Sequence, residues 1–180
     1  MNFIIVNLIF NKCRKLFLKK LEDYNVSWIF LKTTSIIDQI LIKSIRVRNI
    51  QVNQYQLIKE EGITDTCIDI INYIIIILIK SNIKSCDNIS HSKIITMYDR
   101  NIKSIKNSLI LIEKKKKFYS INNVLYNISY LKHEKNKQLK TILFDMLINI
   151  VYLLKNSIFK KNANKKKNCD CKLEDESWIL

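Results

Sequence analysis

The stretch Glu61-Gly62-Ile63-Thr64-Asp65-Thr66-Cys67-Ile68-Asp69-Ile70-Ile71-Asn72-Tyr73, continued by Ile74-Ile75-Ile76-Ile77-Leu78-Ile79-Lys80, decides how the rest of the chain is read. Isoleucine alone favours strands. The carboxylates at Glu61, Asp65 and Asp69, however, fall four residues apart, a helical spacing, and no alternation with a period of two runs through the segment. The pattern predicts a helix over about 63–80, apolar on nearly every side and therefore buried. Its apolar run at 70–79 is interrupted by Asn72 and Tyr73 and is about half the roughly twenty residues a membrane span needs. It reads as a buried helix, and no membrane span is expected.

The same period extends outward in both directions. A helix over about 3–21 becomes amphipathic as Arg14, Lys15, Lys19 and Lys20 accumulate, and a polar, aromatic connection follows at 22–28. A second helix is expected to begin near Ser35, read as an N-cap with Asp38 three residues on, and to bury Ile36, Ile37, Ile40, Ile45 and Val47. Ile95, Tyr98, Ile102, Ile105, Leu109 and Ile112 form a heptad-like seam. Ile121, Val124, Leu125, Ile128 and Leu131 mark a shorter helix, and Leu139, Leu143, Met146, Ile150, Val151 and Leu154 a last long one. With one glycine, no proline and the single alanine Ala163, the chain lacks the turn residues that hairpin-rich β folds rely on. The expectation is an all-α bundle of about six helices. After about residue 160 the period stops, and Lys165-Lys166-Lys167 followed by Glu174-Asp175-Glu176 reads as a disordered tail over 161–180.

Charge narrows the function. Isoleucine, lysine and asparagine make up nearly half the chain, a bias that AT-rich coding favours, so part of the basic excess is compositional. Net charge is +15, with +4 in residues 1–80 and +11 in 81–180. Such an excess suits nucleic acid, anionic lipid or phosphorylated ligands. Only four of the 31 basic residues are arginine, the side chain best fitted to bidentate phosphate and guanine contacts, which weakens the nucleic-acid reading. Five cysteines without a recognisable signal peptide point to reduced thiols and a cytoplasmic location. Cys169-Asp170-Cys171 has neither a second pair nor a neighbouring histidine, so it is not read as a zinc site. His91 and His133 are isolated, and no nucleophile–base arrangement stands out.

On a continuous helix Glu61, Asp65 and Asp69 share one face, with rises of about 6 Å between neighbours, and Asn72 extends the stripe. Aligned carboxylates among core-forming residues repel unless a cation neutralises them. Oxygen ligands at this spacing suit Mg²⁺, which binds through a few carboxylates together with phosphates and water. The preceding helix aligns Gln39, Lys43 and Arg46 on one stripe with Arg48 close by, so Lys43 and Arg46 are candidate phosphate ligands. The competing interpretation is an ordinary exposed face of acids and bases.

Asp23-Tyr24-x-x-Ser27-Trp28, Thr34-Ser35-Ile36-x-Asp38-Gln39-Ile40-x-Ile42-Lys43-x-x-Arg46-x-Arg48, Glu61-Gly62-Ile63 and Asp69-Ile70-Ile71-Asn72-Tyr73 occur in that order. Over about residues 13–82 this series resembles the nucleotide modification associated domain 1 family. The motif order is also similar to MazG-like all-α nucleotide pyrophosphohydrolases. The resemblance implies that Glu61, Asp65 and Asp69 are catalytic metal ligands for Mg²⁺ and that Lys43 and Arg46 bind phosphates. It further implies that Asn72, Tyr73 and Trp28, with Tyr24 beside it, line a nucleotide site.

The sequence departs from the family pattern at Asn25, where glycine is usual after Asp-Tyr, and from the MazG-like pattern in lacking an E-x-x-E pair on the preceding helix. Residues 1–82 are thus expected to form the nucleotide domain and 90–160 a degenerate second helical repeat. In that repeat Phe144-Asp145-x-x-x-Asn149 resembles the Asp69 helix, although the offsets of 95 residues for Tyr24 to Tyr119 and 76 for Asp69 to Asp145 disagree. The expected function is Mg²⁺-dependent nucleoside triphosphate pyrophosphohydrolysis or related nucleotide processing, in a chain that can homodimerise. The alternatives are a non-catalytic helical module binding nucleotide or protein and, less expected, a basic nucleic-acid-binding protein.

Overall fold

The computed structural model describes residues 3–53, 62–83, 89–112, 119–133 and 138–174. Six α-helices carry the chain: α1 Phe3–Tyr24, α2 Thr33–Asn53, α3 Ile63–Lys80, α4 His91–Ile112, α5 Ile121–His133 and α6 Leu139–Glu174, with one 3₁₀ turn at Ser27–Ile29. No strand occurs among the described residues. The all-α bundle is the architecture that the periodicity predicts.

Helix α3 is the hub. Its isoleucines point to every side, and Ile70, Ile71, Ile74, Ile75 and Ile79 are fully buried. Each such side chain contributes about 1.5–3 kcal/mol relative to an exposed one, so α3 is stable only when wrapped. It packs on α1, α2, α4 and α6. The remaining major pairings are α1 with α4 and α6, α2 with α5, α4 with α6, and α5 with α6. That set is unchanged when α1, α2 and α3 are exchanged for α4, α5 and α6. The third helix of each three-helix set holds one buried asparagine, Asn72 and Asn149.

Several boundaries differ from the sequence expectation. Helix α2 begins at Thr33, and its first carbonyl is that of Lys32, which accepts from Ser35 N at 3.0 Å and Ile36 N at 3.3 Å. Ser35 therefore lies inside the first turn and is not the cap. Asp38 turns instead to α5, pairing with Lys132 Nζ at 2.6 Å. Ile45 is half-buried, and the buried position of that turn is Ser44. The α4 seam runs through Ile94, Tyr98, Ile102, Ile105 and Leu109, which leaves Ile95 only half-buried. Helix α6 does not stop near 160 but keeps a helical backbone to Glu174. Without proline or glycine nothing breaks the helix there, and lysine is a good helix former. One stretch of it, Leu139–Ile158, is long and apolar enough by length and composition to cross a membrane, with 44% of it buried in the bundle. A core helix meets the same criterion, and this one packs on α3 and α5.

Two turns position the site. Gly62 caps α3 at φ −74°, ψ 169°, extended backbone that any residue adopts, and its carbonyl accepts from Thr66 N at 3.1 Å. The single glycine is therefore not demanded by backbone angle. Asn25, standing where the family pattern has glycine, is the residue that takes positive φ, at 53°. Its Oδ1 accepts from Val26 N at 2.8 Å and lies 2.6 Å from His91 Nε2. Asparagine tolerates this left-handed conformation because its short polar side chain bonds locally. The turn thus keeps its shape, and the 3₁₀ turn after it is held by Lys80 Nζ donating to the Ile29 carbonyl.

Candidate functional site

The helix start at Ile63 limits the acidic stripe. Within α3 the face shared by carboxylates carries Asp65 and Asp69, and Glu61 lies outside the described residues. Asp65 is exposed, whereas the Asp69 side chain is only 16% exposed. The cation required by a half-buried carboxylate is supplied by the protein itself. Lys43 Nζ on α2 sits 2.6 Å from Asp69 Oδ2, and Lys20 Nζ on α1 sits 3.4 Å from Oδ1. The two motif helices are thus brought together, with Lys43 meeting Asp69 directly. Arg46, one turn farther along α2 and half-buried, is not in the described lining of either recess below. Among the described residues no three His, Cys, Asp or Glu side chains converge as a metal-binding group.

A recess of about 420 Å³ opens between the C-terminal part of α1, the 3₁₀ turn and α3. Tyr24, Trp28 and Tyr73 bring aromatic surface to it, and Lys20 and Asp69 stand at its polar edge. Four of the residues predicted for the site, Trp28, Asp69, Asn72 and Tyr73, therefore line one cavity. Its size is within the range of small-molecule sites. Asn72 also has a second attachment. It is buried, its Nδ2 donates to the Cys13 carbonyl at 3.2 Å, and its Oδ1 accepts from Tyr98 Oη at 2.6 Å. Tyr98 in turn stacks on Phe17 at 4.0 Å between ring centroids. Burial raises the Tyr98 hydroxyl well above its usual range, so it stays a neutral donor.

A second groove, of about 580 Å³, adjoins the first and shares Lys20 and Asp69 with it. Its rim is Lys12, Lys15 and Lys19 of α1 facing Asp65 of α3. The lysines that accumulate on α1 thus border the acidic helix. The legible signal was their spacing of three and four, which places Lys12, Lys15 and Lys19 on one helical face. What it did not disclose is that this face borders the acidic helix. Arg14, on a neighbouring face, is taken up by Asp99 of α4 through contacts of 2.8 and 3.1 Å.

The buried thiols lie behind this wall and are inert. Burial pushes Cys67 up to about 12 and Cys13 higher still, which removes the thiolate that nucleophilic chemistry needs.

No curated protein and no solved structure matches the chain. Residues 20–80, about a third of the chain, match the family model described as nucleotide modification associated domain 1, a domain of unknown function, and this segment carries Trp28, Lys43, Asp69 and Tyr73 together.

Proposed function

We propose that the recess between α1 and α3 binds a nucleotide, with the base against Tyr24, Trp28 and Tyr73 and the phosphate at Lys20. The observation that carries this reading is the edge where aromatic surface meets Lys20 and Asp69, with Lys43 on the far oxygen of that carboxylate and outside the lining of the recess. Stacking on aromatic rings is tolerant of base identity and contributes about 1–3 kcal/mol per base. Lys20 is kept in place before the ligand arrives, so less side-chain ordering is lost on binding. The description of the matched family supports a nucleotide as the ligand class.

Hydrolysis of that nucleotide, the pyrophosphohydrolase reading, is favoured by a separate observation. Asp65 and Asp69 stand one turn apart on α3 and line the same groove as the lysines. Mg²⁺ is held by one or two carboxylates together with phosphates and water, so these two residues would hold it, and Asp69 would have to release at least one lysine. The ion would supply charge neutralisation on the phosphates and a more acidic water.

Calorimetric titration with a panel of nucleoside mono- and triphosphates, with and without Mg²⁺, tests both readings when paired with an assay for pyrophosphate release. Binding is expected, with Trp28→Ala weakening it by roughly 5- to 150-fold, the equivalent of one lost stacking contact. A folded sample that binds no nucleotide removes the first reading. Binding without turnover, at any Mg²⁺ concentration, removes the second.

A further inference from the structure

We infer that the site does not end at one nucleotide but continues along α1 as a track for the backbone of a single-stranded nucleic acid. The inference rests on the nucleotide reading of the aromatic recess and extends it. The recess and the lysine groove adjoin at Lys20 and Asp69, an ion pair of 3.4 Å, so a ligand seated in the first reaches the second over that pair. From Lys20 the exposed row continues through Lys19 and Lys15 to Lys12. At 1.5 Å per residue that row is about 12 Å long. A strand laid along this length passes all four ammonium groups, whose charge its phosphates would neutralise.

The chemistry matches the task. Aromatic stacking beside a positively charged groove is how single strands are held without reading sequence. Lysine suffices because the contact is electrostatic and does not need the bidentate fork of arginine. Lys43 offsets Asp69 from the α2 side, which leaves Asp65 as the uncompensated carboxylate against the row. A mononucleotide fills the aromatic recess and reaches Lys20, and leaves Lys12, Lys15 and Lys19 unused.

The test compares each nucleoside monophosphate with its homo-oligomer of about ten nucleotides on the full chain, across 50–200 mM salt. The oligomer is expected to bind at least about tenfold tighter at low salt. Four lysine contacts give a log–log salt slope of about −2.8, a roughly 50-fold loss across that range. In the triple variant Lys12→Gln, Lys15→Gln, Lys19→Gln the slope should fall to about −0.7 and the loss to about threefold, with monophosphate affinity unchanged. Monophosphate binding with no gain for the oligomer, or a slope the triple variant does not change, overturns the track and leaves the nucleotide site standing. Failure of the folded protein to bind either ligand overturns both. The wild-type salt slope is an independent measurement if the variant does not fold.

Discussion

Asn72 couples the site to the core, and its removal has a calculable effect. In Asn72→Leu the Tyr98 hydroxyl, fully buried between α1 and α4, loses its acceptor at 2.6 Å, and the Cys13 carbonyl loses a donor at 3.2 Å. A buried polar group left unpaired costs about 1–3 kcal/mol. The Cys13 carbonyl belongs to a helix and keeps its backbone partner, so the hydroxyl carries most of that cost. Tyr98→Phe is the reciprocal change: the ring stays stacked on Phe17, and the Asn72 oxygen is left unpaired at a similar cost. The double variant makes both partners apolar, which is close to neutral for a matched pair. The single variants should therefore not add, and the coupling should reach about 1 kcal/mol or more. Urea unfolding followed by far-ultraviolet circular dichroism measures all four corners of the cycle. At this chain length about 1 kcal/mol corresponds to a shift of 2–4 °C in melting temperature. Single variants that each cost under about 0.5 kcal/mol, or a double variant equal to their sum, would refute the reasoning.

Three other outcomes follow from the same geometry. Without Mg²⁺, Asp69→Asn removes the charge that Lys20 and Lys43 neutralise, so nucleotide affinity should rise about fivefold, the equivalent of roughly 1 kcal/mol; a fall in metal-free calorimetric affinity would transfer the ligand-binding role to the carboxylate. Alkaline pH should unfold the chain early. Cys13, Cys67 and Tyr98 hold their protons more tightly folded than unfolded, so their contribution is complete below pH 9.0, the ordinary thiol value. Above it, stability falls by up to about 1.4 kcal/mol per pH unit per group, through the Cys67 value of about 12. Urea midpoints that stay level from pH 8 to 11 would contradict this. At the left-handed turn, Asn25→Ala should cost about 1–2 kcal/mol and Asn25→Gly much less, because only the former loses the backbone tolerance as well as the His91 contact. Thermal melts that rank the two variants equally would show that positive φ is not what Asn25 is for.

Helix α3 was legible because its signal is local: four-residue spacing of acids and an apolar run too short for a membrane both lie within one segment. Its limits at 63 and 80 agree between sequence and structure. The start of α2 was misplaced because a serine in the first turn resembles a cap wherever it stands, and only the backbone bonds to the Lys32 carbonyl locate the true start. Asn25 was legible in a different way: a departure from the family pattern at a turn named the residue that tolerates φ of 53°. The lysines of α1 carried the right spacing, yet no property of that helix alone states which neighbour its face borders.

By itself the sequence determined the fold class, the helical period of each segment and the buried nature of α3. These follow from periodicity along the chain. Tertiary structure alone decided that Asp69 is neutralised by Lys20 as well as Lys43, that Asn72 bonds to Tyr98 behind the recess, and that Trp28 and Tyr73 share one cavity. Each of these depends on pairs from 26 to 49 residues apart, as with Asn72 and Tyr98 or Lys20 and Asp69. Such pairs meet only when an all-round apolar helix is wrapped by its neighbours, because burial draws helices together without regard to their separation in the chain.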